Sequence, residues 1–191
     1  MYKRIKSITI QLLFIIECLN SAQTSYPTLL HKPLSELTVE QVQITMLMRL
    51  NEMRAELDLK PLQYNDSLEL VAFYLMDHKT KWFQEDGNFD AYCHFDDDNN
   101  GIIDRYKLFN LRFEVLKNTE KKLANDMYYS PLLPMAGEIV AGTNGSVYQI
   151  CEAWRKSPGH WVQIIEKHYT HLGIAYRKDH PVVICDFIMF K

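Results

Sequence analysis

The chain predicts an α+β fold in which helices flank a small, mainly antiparallel sheet. Three observations carry that expectation. Apolar residues recur at three- and four-residue steps from Val39 to Leu57 and again from Leu68 to Met76, the spacing of one buried helical face. Two extended apolar runs, Leu172 to Tyr176 and Val182 to Met189, flank a turn at residues 178–181, the pattern of a hairpin. The 191 residues, 47% hydrophobic and 24% charged, suit one domain with one core.

Each element has its own local signal. Thr38 and Gln41 have capping-box spacing at the start of the first helix, and residues 60–61 (Lys-Pro) are expected to end it. Asp66 is expected to cap the second helix, with Glu69 three residues on. Residues 84–101 are polar, acidic and glycine-containing, so they read as a loop, after which Asp104 is expected to cap a third helix through Arg105, Leu108, Leu111 and Arg112. Residues 117–135 have weak periodicity and predict an excursion with some helix. Gly137 to Gly142 reads as a strand. Ser146 and Gln149 repeat the capping-box spacing before a helix carrying Val147, Ile150, Cys151 and Trp154 on one side. Ser157-Pro158-Gly159 breaks that helix, and a short helical turn is expected from His160 to Lys167.

The first 22 residues stand apart. Lys3, Arg4 and Lys6 precede an apolar run from Ile8 to Ile16, followed by small and polar residues. That run is about half the ~20 residues needed to span a bilayer, so residues 1–22 are expected to form a signal peptide cut near Ala22 or Gln23. Residues 23–37, with Pro27 and Pro33, read as a loose N-terminal extension, and residues 38–191 as the domain. The expected product is secreted, periplasmic or extracellular, with no stable membrane insertion once the signal is removed. Its loss also removes Lys3, Arg4, Lys6 and Glu17, taking the net charge from −3 to −5. Without a basic stripe, nucleic acid is not an expected partner. Cys93, Cys151 and Cys185 remain, enough for at most one internal disulfide, with Cys151–Cys185 the candidate pair. Stability must then come from the core.

Three stretches, taken in order, resemble a known family. They are residues 50–66 (LNEMRAELDLKPLQYND), Gly137-Glu138 with Ala141 beyond it, and Trp154 to His160 followed by residues 172–176 (LGIAY). Order and spacing resemble the SCP-like branch of the CAP superfamily, which includes cysteine-rich secretory proteins, venom antigens, plant pathogenesis-related proteins and bacterial relatives. The similarity runs over about residues 42–190. It implies an α-β-α sandwich with a central cleft lined by two histidines and two acids. Carried over, the histidines fall on His94 and His160 and one acid on Glu138. The second acid falls on Ser157, and the asparagine that usually follows the first acid is Ile139.

What that trio does has three readings. Two imidazoles and a carboxylate suit zinc, which takes nitrogen and oxygen ligands. As an enzyme, His160 or Glu138 would act as general base, with His94 completing a metal-assisted extracellular hydrolase of peptides or esters. No nucleophile elbow, zinc-protease helix or phosphate loop supports that reading. The favoured expectation is therefore a module that binds an extracellular ligand or protein through a His94/Glu138/His160 cleft, with no turnover. A third reading is a calcium-stabilised structural domain. Asp96, Asp98, Asn100 and Asp104 match positions 1, 3, 5 and 9 of a calcium loop, but position 12 is Lys107 rather than a bidentate glutamate.

Overall fold

A computed structural model describes residues 26–109 and 136–189. Helix α1 (Val39–Ala55) opens with the expected capping box: Gln41 N–H donates to Thr38 Oγ1 and Thr38 N–H to Gln41 Oε1. It buries Val42, Met46, Leu50 and Met53. It stops at Ala55, ahead of the predicted Lys60-Pro61 boundary, and Asp58 turns the chain at φ 56°. Leu57, which continues the helical spacing, is exposed for that reason. Buried Arg54 fastens this end by donating to the carbonyls of Lys60, Ile164, Glu166 and Tyr169.

After the short strand β1 (Gln63–Tyr64), helix α2 (Asp66–His78) starts at its predicted cap, one residue earlier than expected. Asn65 is the cap, its Oδ1 accepting from Leu68 N–H at 3.0 Å. Helix α3 (Ile102–Leu108) has Gly101 at its N-cap and no side-chain cap. Asp104 lies inside its first turn and pairs with Lys107 at 3.6 Å, which corrects the capping role expected for it. The excursion expected over 117–135 and the signal peptide expected over 1–22 lie outside the described residues.

Strand β2 (Ala136–Gly142) leads to α4 (Val147–Lys156), whose Ser146/Gln149 capping box forms as expected. Ser157-Pro158-Gly159 does break the helix, but Pro158 also begins the next one, α5 (Pro158–Ile164). Proline suits a first helical position because its missing N–H has no helical partner to lose. The hairpin β3 (His171–Tyr176) and β4 (Val182–Ile188) closes the described chain.

The sheet order is β1-β3-β4-β2, with β1 parallel to β3 and the other pairs antiparallel. Alternation along the strands sends side chains to two different layers. Ile139, Leu172, Ile174, Cys185 and Phe187 pack with α1 and α4 through Met46, Leu50 and Trp154. Val140, Ala175, Ile184 and Ile188 face α2 and α3 through Ala72, Leu75, Leu68 and Tyr106. The result is the expected α-β-α sandwich. Gly173 sets how closely α2 lies on the sheet: a Cβ there would fall 2.2 Å from Glu69 N and 2.3 Å from Leu68 C.

Two expectations change. Residues 26–31 are helical, and Tyr26, Leu30, Leu34 and Leu37 join the α1-side core. Leu34 N–H donates to Gly145 O at 2.9 Å and Tyr176 Oη–H to Leu34 O at 2.9 Å. Residues 26–37 are therefore part of the domain rather than a loose extension, because four apolar side chains there would otherwise face water. Cys151 and Cys185 are both buried free thiols, and Cys185 Sγ contacts Met46 Sδ at 3.5 Å.

Candidate functional site

Glu138 lies in mid-β2, between Gly137 and Ile139, and points to the α2/α3 side of the sheet. Its side chain is 3% exposed, and a carboxylate buried to that degree needs partners. His94 donates its Nδ1–H to Glu138 Oε1 at 2.9 Å, and Arg105 donates Nη2–H to Oε2. Fully buried Arg105 also donates through Nη1 to the carbonyls of His94, at 3.1 Å, and Asn100, at 2.9 Å. One guanidinium from α3 thus ties the 94–100 loop to the strand. This forked geometry is one that lysine cannot reproduce.

The loop that presents His94 is built from its own acids. Asp96 accepts from Asn100 N–H at 2.7 Å through one oxygen and from Asn100 Nδ2–H at 2.9 Å through the other. Asn99 takes φ 65°, a left-handed turn that asparagine tolerates. Asp97 N–H donates to His78 O at 2.8 Å, and Asp97 in turn accepts from Thr80 N–H at 3.1 Å. The acidic run that resembles a calcium loop is a hydrogen-bonded turn anchored to the end of α2.

Electrostatics set the two histidines apart. Desolvation works against a charged His94 ring, but contacts with Cys93 and the Glu138 carboxylate outweigh it and lift its pKa to about 10. His94 is therefore an imidazolium at neutral pH, and 41% of its side chain remains open to solvent. His160 lies in the first turn of α5, with Nδ1 2.8 Å from Ser157 Oγ. Burial, joined by the positive charge of His94, lowers its pKa to about 4, so this ring is neutral. Glu138 is held below the usual glutamate range: burial pushes it up, but the charges of Arg105 and His94 prevail.

The predicted residues are thus only partly brought together. His94 and Glu138 are in contact, and His160 is close enough to feel the charge of His94. Among the described residues, however, no three His, Cys, Asp or Glu side chains are arranged to hold a metal ion. In the zinc set expected from His94, His160 and Glu138, both Glu138 oxygens already accept hydrogen bonds, one from His94 and one from Arg105. His94 would also have to surrender a tightly held proton before it could ligate. In the calcium set expected from Asp96, Asp98, Asn100 and Asp104, Asp96 and Asp104 already have partners within the protein. Asn100 occupies both Asp96 oxygens, and Asp104 lies exposed on α3 beside Lys107. Ser157, at the place of the family's second acid, pairs with His160 and makes no side-chain cap at either adjoining helix end.

Sequence reasoning missed Asp186. It is fully buried on β4, directly opposite Glu138. Its signal was an acid inside the continuous apolar run Val182 to Ile188, where a fully buried strand has no solvated face for a charge.

The family described as "Cysteine-rich secretory protein family" (CAP) matches residues 47–187. No curated protein matches the chain. Among solved structures, an outer surface protein from Borrelia burgdorferi is similar at TM-score 0.57 and 17% identity, over 81% of this chain and 97% of that one. An extracellular SCP-domain protein from Bacillus anthracis is similar at TM-score 0.54 and 17% identity, over 81% of this chain and 44% of that one. A cysteine-rich secretory protein from Staphylococcus aureus is similar at TM-score 0.54 and 17% identity, over 80% and 40%. The chain spans less than half the length of the Bacillus and Staphylococcus proteins. Among the described residues no helix is long and apolar enough to cross a membrane. The match over residues 47–187, on a sandwich that these bacterial SCP proteins share, places the chain in the CAP family.

Proposed function

We propose that this protein is an exported CAP domain that binds an extracellular ligand or partner through the wall formed by His94, Glu138 and His160, without turning it over. The observation that carries this reading is the state of His94. It is a charged ring clamped from behind by Glu138, which Arg105 holds in turn, and its free edge faces solvent. A cation fixed in this way is suited to an acceptor such as a carboxylate or another anionic group. The neutral ring of His160 beside it supplies a second polar edge without adding charge repulsion. Export is supported by the cationic and apolar leader at residues 1–22 and by the extracellular or outer-surface descriptions of the similar bacterial proteins.

The test is a ¹H–¹⁵N titration of the purified domain with acetate and with short peptides ending in a free carboxylate. The His94 and His160 ring signals should move together in a saturable way, and His94→Gln should abolish the response. Assays with peptide and ester substrates, with and without zinc, provide the opposing outcome. Turnover that is lost in both Ser157→Ala and His160→Ala would overturn the binding-only reading. So would stoichiometric zinc that is lost in His94→Gln.

A further inference from the structure

Behind the Glu138 carboxylate lies a second acid that the proposed binding role does not use. In the sheet register Asp186 stands opposite Glu138 on one side and opposite Gly173 on the other. It lies between Ile184 and Ile188 on the strand and so faces α2 and α3. Asp186 is 0% exposed. Among the described residues, no N–H or O–H donates to either of its oxygens. The neighbouring elements account for this. Gly173 has no side chain, and α2 closes over it with the Leu68–Glu69 backbone. Tyr106 of α3 donates its hydroxyl to Phe187 O, and Arg105 of α3 directs its Nη groups to Glu138, His94 O and Asn100 O. Two groups are left facing Asp186. One is Glu138, already an anion held by two cations. The other is the Arg105 guanidinium, whose charge favours ionisation of Asp186 but is outweighed by burial and the Glu138 charge, and whose Nε donates to no acceptor among the described residues. Two neighbouring carboxyls in a dry site cannot both ionise, and an ionised carboxylate with no donor would bear its full desolvation cost.

We propose that Asp186 is a neutral carboxylic acid in the folded protein, and that it donates its O–H to Glu138 and so positions the carboxylate that holds His94. Glu138 then has a donor on each exposed direction of its carboxylate: His94 from the loop, Arg105 from α3 and Asp186 from the adjacent strand. Burial and the Glu138 charge both push Asp186 well above the usual aspartate range, in agreement with this geometry. Asp186 touches no ligand. It acts through Glu138, and its protonation does not depend on what the cleft binds.

Isoelectric focusing of the native protein tests the protonation. Asp186→Asn should leave the isoelectric point unchanged, because it replaces one neutral group by another. A shift equivalent to one lost negative charge would overturn the proposal. The Asp186 carboxyl ¹³C signal of the wild-type protein gives the same answer without mutation: a protonated-acid shift that stays constant from pH 5 to pH 8 is expected, and a carboxylate shift at pH 7 would refute it. Positioning is read from the His94 Nδ1–H resonance. It should persist in Asp186→Asn, whose amide can donate in place of the O–H, and broaden away in Asp186→Leu. Equal persistence in both variants would overturn the positioning role, whatever ligand titrations of the cleft show.

Discussion

The two faces of the central sheet are built on different physical terms. Toward α1 and α4, the strands bury Ile139, Ile174, Cys185 and Phe187 against the apolar side chains Met46, Leu50 and Trp154, with Arg54 buried at the end of α1. Toward α2 and α3, the same strands bury Glu138 and Asp186 beside Arg105. The first face gains stability from removing apolar area from water, at about 25 cal/mol per Å². The second does so only while its charges are matched, because desolvation of a buried ion pair rivals its attraction. The apolar face therefore serves as scaffold, and the matched-charge face carries the proposed site.

The largest effect should come from unbalancing the charged face. Arg105→Met leaves the Glu138 carboxylate buried without its guanidinium and should cost about 3–5 kcal/mol, read from urea melts at pH 7. The double variant Arg105→Met/Glu138→Gln should recover part of that loss, since removing a whole pair is milder than stranding one member. No recovery would mean that Arg105 acts mainly through its bonds to His94 O and Asn100 O. On the apolar face, Leu50→Ala should cost about 2–5 kcal/mol, with no change in the titration of His94. A shifted His94 midpoint in that variant would show that the two faces are coupled.

The pH dependence should come next. His94 has a folded value of about 10, above its ordinary 6.5, so its contribution is complete below pH 6.5 and is lost as pH climbs toward 10. His160 has a folded value of about 4, below its ordinary 6.5, so its contribution is complete above pH 6.5 and is lost as pH falls toward 4. Melts across that range should show His94→Gln flattening the alkaline limb and His160→Gln flattening the acid limb. An unchanged profile in either variant would remove that histidine from the account. The smallest effect belongs to local structure away from both faces: Ser146→Ala should cost about 1 kcal/mol by removing a helix cap, measured as a lower urea midpoint with an unchanged slope.

Much of the sandwich was legible because it is written in short-range patterns. The Thr38 and Ser146 boxes, the α1 stripe and the closing hairpin each depend on residues a few positions apart. Boundaries were less legible where the deciding contact is distant. The stripe at Val39 to Leu57 runs past the end of α1, and Arg54 fixes that end through carbonyls more than a hundred residues away. Residues 26–37 looked loose for the same reason, since Leu34 is held by Gly145 and Tyr176. The acidic run at 96–104 matches a calcium pattern by residue type, and that pattern does not reveal that both Asp96 oxygens accept from Asn100.

By itself the sequence determined which segments become helices or strands, which of their sides are apolar, and, through motif order, the family, with His94, Glu138 and His160 as its candidate residues. Tertiary structure decided the charge each site residue carries. Protonation follows from burial and from neighbours within a few ångströms, and those neighbours come from a loop, a helix and two strands far apart in the chain. No local pattern can state that Glu138 faces Arg105 and Asp186, nor that one histidine is held charged while the other is kept neutral.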